Sequence, residues 1–205
     1  MKSWLAGLLL LCAGGFSCAA TLDPMQVSAS HEGDHVVLLA HFVVPVSRDL
    51  AWGVMVDFEN MTRFLPYLKE SKVLFRQGNS LRVQQKGVVP VAFFEMSYTS
   101  VRDIDLFPES EIHSTSIGGD TGLTRGITKL AQLDKQTEIS YRADWWPTSR
   151  MVEGFGLESA RDLLSRQFTA MRDEMVRRQP GNPPVLGMAQ AIRPLACRNL
   201  TVRCG

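Results

Sequence analysis

The chain has 205 residues, of which 45% are hydrophobic, with 22 lysines and arginines against 21 aspartates and glutamates. That balance excludes a dedicated nucleic-acid binder, which carries a basic excess or stripe. The hydrophobic share suffices to bury the core of one domain.

Lys2 is the only charge before an apolar run, Leu5 to Cys12, and Cys18-Ala19-Ala20 then offers a small-x-small cleavage site. This order predicts a secretory signal peptide over residues 1–20 and a periplasmic destination. The run is too short for a bilayer, which needs about 20 apolar residues. Gly15 occupies the place where a lipoprotein signal carries leucine, which argues against acylation at Cys18. Cleavage removes Lys2 and no acidic residue, so basic and acidic side chains are then equal in number.

Residues 21–30 read as a lead into the domain. From His35 to Val44 the apolar face is Val36, Leu38, Ala40, Phe42 and Val44, a half-buried strand. Ser47 is an N-cap for a short helix whose buried face is Ala51, Val54, Met55 and Phe58. A second turn with Met61, Phe64 and Leu65 stops at Pro66. Strands follow around the Gln77-Gly78-Asn79 turn, then Val91 to Ile104, Glu111 to Ile117, Leu123 to Leu133 and Thr137 to Trp146. Short links between them predict an antiparallel meander. Leu157, Ala160, Leu164, Phe168, Met171 and Met175 recur every three or four residues, one long amphipathic helix. Pro180 to Pro184 is a linker. The domain therefore spans 31–178, and 179–205 is a Pro-rich linker and tail. Cys197 and Cys204, close in sequence and in an oxidising compartment, are expected to form a disulfide.

A curved antiparallel sheet, two short helices after its first strand and a long C-terminal helix make an α+β helix-grip fold. The residues themselves resemble the START-like superfamily, on the branch of polyketide cyclases and coenzyme Q-binding proteins. The likeness rests on Pro45-Val46-Ser47, the run Trp52 to Asn60, Phe64-Leu65-Pro66, Ser71-Lys72-Val73, and Leu163 to Phe168 with Met171-Arg172. The resemblance implies an apolar cavity between the concave face of the sheet and the long helix. It also implies a hydrophobic ligand such as a lipid, isoprenoid or aromatic polyketide. The signal peptide and the cysteine-bearing tail depart from the family's usual intracellular members and argue against a respiratory quinone as partner.

Strand parity sorts the candidates for that cavity. Phe94, Met96 and Tyr98 share one face, which turns Glu95 outward. Tyr141 shares the inner face with Ile139, Ala143 and Trp145. Ile112, Ser114 and Ser116 turn inward and leave His113 outside. Leu164 and Phe168 look down from the helix. Arg125 has the parity of Leu123, Ile127, Ala131 and Leu133. Either strand twist carries its charge out to solvent or a partner, or it enters the cavity to meet a polar ligand head. The ligand-binding set is thus Phe94, Met96, Tyr98, Arg125, Tyr141, Trp145, Leu164 and Phe168.

This sorting leaves no carboxylate–histidine pair for acid–base chemistry. The histidines have no metal-site spacing, and no cofactor motif is present. By alternation one of Trp145 and Trp146 faces the cavity and the other faces water or a lipid headgroup. Two tryptophans packed in a satellite core over the helix start are the alternative. Thr148 to Gly156 is a candidate gate. The expected function is non-catalytic carriage or sensing of a hydrophobic small molecule. The alternatives are a cyclase- or dehydrase-like enzyme using Arg125, Tyr98 or Tyr141, and a filled scaffold that binds another protein.

Overall fold

Alternating segments joined by tight polar turns place each strand beside its chain neighbour, and most of the sheet follows from that rule. The computed structural model describes residues 24–91, 94–149 and 156–181. Its elements run β1 (Gln26–Glu32), β2 (His35–Val44), α1 (Arg48–Met55), a 3-10 segment (Phe58–Arg63), β3 (Leu68–Gln77), β4 (Ser80–Val91), β5 (Phe94–Phe107), β6 (Glu111–Gly119), β7 (Leu123–Leu133), β8 (Gln136–Trp146) and α2 (Leu157–Arg177). The described strands form one eight-stranded sheet in the order β1-β2-β8-β7-β6-β5-β4-β3. Every neighbouring pair is antiparallel. This is the helix-grip α+β fold.

The connection through α1 and the 3-10 segment carries the chain from β2 to the far edge at β3. The returning meander then brings β8 back beside β2, with Phe42 opposite Ile139. At the join, the buried Thr137 hydroxyl donates to the Val46 carbonyl at 2.8 Å. Ser47 caps α1 by accepting from the Leu50 N–H at 3.4 Å. Ala51, Val54, Met55 and Phe58 are buried, as their helical spacing predicts.

One element has no counterpart in the sequence reading. β1 occupies Gln26–Glu32, most of it inside the stretch read as a lead, and pairs along its length with β2. Its alternation is carried by small residues such as Ser28, Ala29 and Ser30, too little apolar contrast to announce a strand. The signal segment 1–20, both tail cysteines Cys197 and Cys204, and Arg150 to Phe155 of the candidate gate lie outside the described residues.

The helix α2 packs across the sheet in two unequal halves. Toward its C-terminus, Phe168, Met171 and Met175 meet Phe42, Val44, Val83, Ile104 and Ile139 in a continuous core. Toward its N-terminus, Ala160 joins a separate cluster of Val36, Val89, Met96 and Trp145. Each fully buried side chain of this kind contributes about 1.5–3 kcal/mol.

The end of α2 is clamped to the 3-10 segment. The Arg178 guanidinium donates to Glu174 at 2.7 Å and to Asp57 at 2.8 Å, and Asn60 donates to Asp57 at 2.7 Å. Arg178 also lies over the Phe64 ring at 5.6 Å. Asp57, Asn60 and Phe64, part of the family-like run, therefore hold the helix to the sheet.

Candidate functional site

Between the two clusters the helix does not reach the sheet, and a cavity of about 190 Å³ remains. Its floor is the concave face of the sheet: Leu38 from β2, Gln85 and Val89 from β4, Tyr98, Ser100 and Arg102 from β5, and Tyr141 and Trp145 from β8. Ala160, Leu163, Leu164 and Gln167 of α2 form the roof. Side chains at this level are too polar to close into a dry core. A larger depression of about 510 Å³ lies over the outer side of β2, β7 and β8. It is bounded by the exposed side chains of Leu39, His41, Ile127 and Arg142.

Glycines shape the floor. Tyr98 lies across Gly87 of the neighbouring strand, where an added Cβ would stand 2.6 Å from the ring. Tyr141 likewise lies over Gly126, its ring 3.3 Å from the place a Cβ would take. The far side of Tyr141 packs on Phe168, with ring centroids 5.2 Å apart, and Phe168 packs on Phe42 at 5.5 Å. Trp145 is fixed by its indole N–H, which donates to the Thr121 carbonyl at 2.8 Å.

The charged member of the cavity is Arg102. Its Nη2 donates to Gln85 Oε1. Gln85 is buried and donates in turn to Ser71 Oγ at 3.2 Å and toward Met61 Sδ at 3.5 Å. The network thus orients the amide oxygen toward the arginine. Burial pulls the Arg102 pKa below the usual arginine value, and the nearby phenols of Tyr141 and Tyr98 oppose the fall. Burial pushes both phenols up, against the pull of the Arg102 charge. At neutral pH they are therefore protonated donors.

Of the residues singled out from the sequence, Tyr98, Tyr141, Trp145 and Leu164 meet around this cavity. Met96 and Phe168 lie just behind it in the packed clusters, 5% and 3% exposed. The side chain of Phe94 falls outside the described residues.

Arg125 does not enter, which corrects its place in the ligand-binding set. It is exposed on the outer face of β7, its guanidinium 5.9 Å from the centroid of Trp146. Strand β7 has the reverse parity: Gly126, Thr128 and Leu130 turn inward. The register explains why. Thr128 stands opposite Tyr141 and Thr124 opposite Trp145, so the inner positions of β7 must be small to admit the aromatic rings of β8. Leu123, Ile127 and Leu133 are left 38%, 39% and 45% exposed. Trp146 points outward, stacked on His35 at 4.8 Å.

Arg102, the charge that does enter, shares parity with Met96, Tyr98 and Ile104. Extending the β5 alternation four residues past Tyr98 is the sequence signal that finds it.

Comparison with known proteins agrees with this architecture. Residues 44–172 match the family described as polyketide cyclase / dehydrase and lipid transport. The chain belongs to this family. Similar solved structures include the Zhui aromatase/cyclase from a Streptomyces species, at 19% identity over 69% of this chain and 94% of that one, with a TM-score of 0.54. A STAR-related lipid transfer protein from Xanthomonas axonopodis is 9% identical over 75% and 94%, TM-score 0.62. A START superfamily protein from Mycobacterium smegmatis is 16% identical over 71% and 99%, TM-score 0.57. At these identities the likeness shows the fold. No protein of curated function matches the chain.

Proposed function

We propose that this protein is an exported, non-catalytic carrier or sensor of a hydrophobic small molecule, held between α2 and the concave face of the sheet. The observation that carries this reading is the split interface of α2. An otherwise continuous core opens into a cavity lined by Leu38, Val89, Trp145, Ala160 and Leu164. The family's description, polyketide cyclase / dehydrase and lipid transport, supports a hydrophobic ligand in this fold. Burying about 300 Å² of ligand apolar surface gives roughly 7 kcal/mol gross, from which association subtracts several. The remainder, roughly 3–4 kcal/mol, corresponds to about millimolar affinity, so tighter binding needs polar contacts beside apolar burial.

A second reading, a cyclase- or dehydrase-like enzyme, draws on Arg102 flanked by Tyr98 and Tyr141, donors that could polarise a carbonyl. Among the described residues lining the cavity there is no carboxylate or histidine to move a proton. Mass spectrometry of organic extracts from natively purified protein tests the leading reading. A stoichiometric apolar molecule recovered unchanged supports carriage. Turnover of an added polyketone, lost in Tyr98→Phe or Tyr141→Phe, would replace it with the enzyme.

A further inference from the structure

We infer that the cavity selects a small apolar molecule bearing one carboxylate, and that Arg102 is the residue that receives it. This rests on the binding reading above and names the ligand's chemical class. Several described arginines elsewhere in the molecule stand with acids: Arg82 with Asp103, Arg142 with Asp144, Arg177 and Arg178 with Glu174. Arg102 instead faces an amide and two phenols, and its occluded Nε has no hydrogen-bond partner among the described residues. Holding a guanidinium in such a place without an anion is costly, so the site is complete only when an anion arrives.

The surroundings specify which anion. One guanidinium nitrogen is already engaged by Gln85, and Gln85 is itself held by Ser71 on the neighbouring strand. The arginine is thereby kept inside the cavity rather than swinging to solvent. With Nε occluded, the donors left for a ligand are those of the two Nη groups, which suit two oxygens in the planar arrangement of a carboxylate. A phosphate dianion carries more acceptors and more charge than one arginine and neutral hydroxyls can satisfy. Away from Arg102 the lining joins the apolar Leu38, Val89, Trp145 and Leu164 to the neutral polar side chains of Thr121, Thr124 and Gln167. The volume, about 190 Å³, lies below the ~300–1,000 Å³ of pockets for drug-sized ligands. A single aromatic ring or a medium-length chain fits that space.

The test is a calorimetric titration of the purified exported protein with octanoate and with octanamide, which share size and carbonyl and differ in charge. Octanoate is expected to bind about tenfold tighter, the margin of a charge-assisted hydrogen bond over a neutral one. Arg102→Met should lose that preference while still binding octanamide, and Arg125→Met, on the outer face, should keep it. Equal affinity of the wild-type protein for both probes would overturn the carboxylate inference and leave the carrier reading standing. So would a preference that survives in Arg102→Met. Binding of neither probe by the wild-type protein would sink both readings. The wild-type comparison decides the matter even if Arg102→Met folds poorly.

Discussion

Two glycines in this domain should respond to the same substitution with opposite signs. Gly87 sits in β4 beneath the Tyr98 ring. An added methyl there would stand 2.4 Å from the Tyr67 carbonyl oxygen, and 2.6 and 2.8 Å from two Tyr98 ring carbons. Ordinary carbon contacts begin near ~3.5 Å, so the methyl intrudes by roughly 1 Å on both sides. The Tyr67 side cannot yield cheaply. Tyr67 already has a φ of 67°, in the left-handed region, and its carbonyl accepts from the Val88 N–H at 2.9 Å. Overpacking costs about 1–3 kcal/mol, and the rigid neighbour places Gly87→Ala near the upper end. Any relief must come from Tyr98, which would swing into the cavity and weaken ligand binding. Gly53, exposed on α1, has nothing within 4 Å of an added Cβ. There alanine removes the entropic handicap of glycine and should stabilise by about 0.5–1 kcal/mol. Urea unfolding of both variants, with an apolar-probe titration of each, measures the contrast. A Gly87→Ala protein as stable as the wild type, with unchanged probe affinity, would refute the claim that this glycine seats Tyr98.

Leu164→Trp, on the roof of the cavity, should abolish probe binding with little change in melting temperature, because the indole takes the ligand's space. Arg161→Trp on the solvent face should alter neither, and strong destabilisation by Leu164→Trp would mean the cavity is not available to a side chain. Phe168→Ala should cost about 3–5 kcal/mol in denaturant unfolding, since the ring is buried and supports both Phe42 and Tyr141. The clamp at the end of α2 predicts a pH dependence. Hydrogen bonds from Arg177, then Arg178, hold Glu174 below its ordinary 4.5 against the cost of burial. At Asp57 burial pushes upward but is outweighed by Asn60 and Arg178, which leave it below 3.8. Both folded values are depressed, so the stabilisation is present above 4.5 and fades as pH falls through the lower folded values. Melting temperature should thus fall on acidification more steeply in the wild type than in Glu174→Gln, and parallel curves would remove the clamp from the account.

Where the two faces of a strand differ in kind, the sequence was a sufficient guide. β8 alternates apolar with polar residues, and Ile139 and Trp145 are buried accordingly; β2 carries a fully apolar face, with Phe42 and Val44 buried, behind a mixed one. In α2 the spacing of Ala160, Leu164, Phe168 and Met171 marks the buried stripe in the same way. β7 misleads because its outward face holds Leu123 and Ile127 while its inward face holds glycine and threonine. That choice is dictated by the rings of β8, a cross-strand constraint with no local trace. The site was legible in its greasy members and hidden in its polar one. Arg102 is held inside by Gln85 from another strand, 17 residues away, and Gln85 is in turn held by Ser71. A search along single strands for carboxylates and histidines passes over such a relay.

The seam between β2 and β8 has a consequence for how the domain assembles. Strands β3 to β8 can zip by successive hairpins, whereas β2 meets β8 across a long separation, 97 residues between His41 and Glu138. Contacts this distant must meet the entropy of closing a large loop before they return any energy. Leu38 and Trp145 line the cavity from opposite sides of that seam, so the binding site comes into being only when the loop is closed. A molecule lodged there touches both strands and adds its binding free energy to the closed form alone. Ligand should therefore slow the opening of the seam, which amide exchange in β2 and β8 would register. An empty domain would expose β8 as an unpaired edge more often than a filled one.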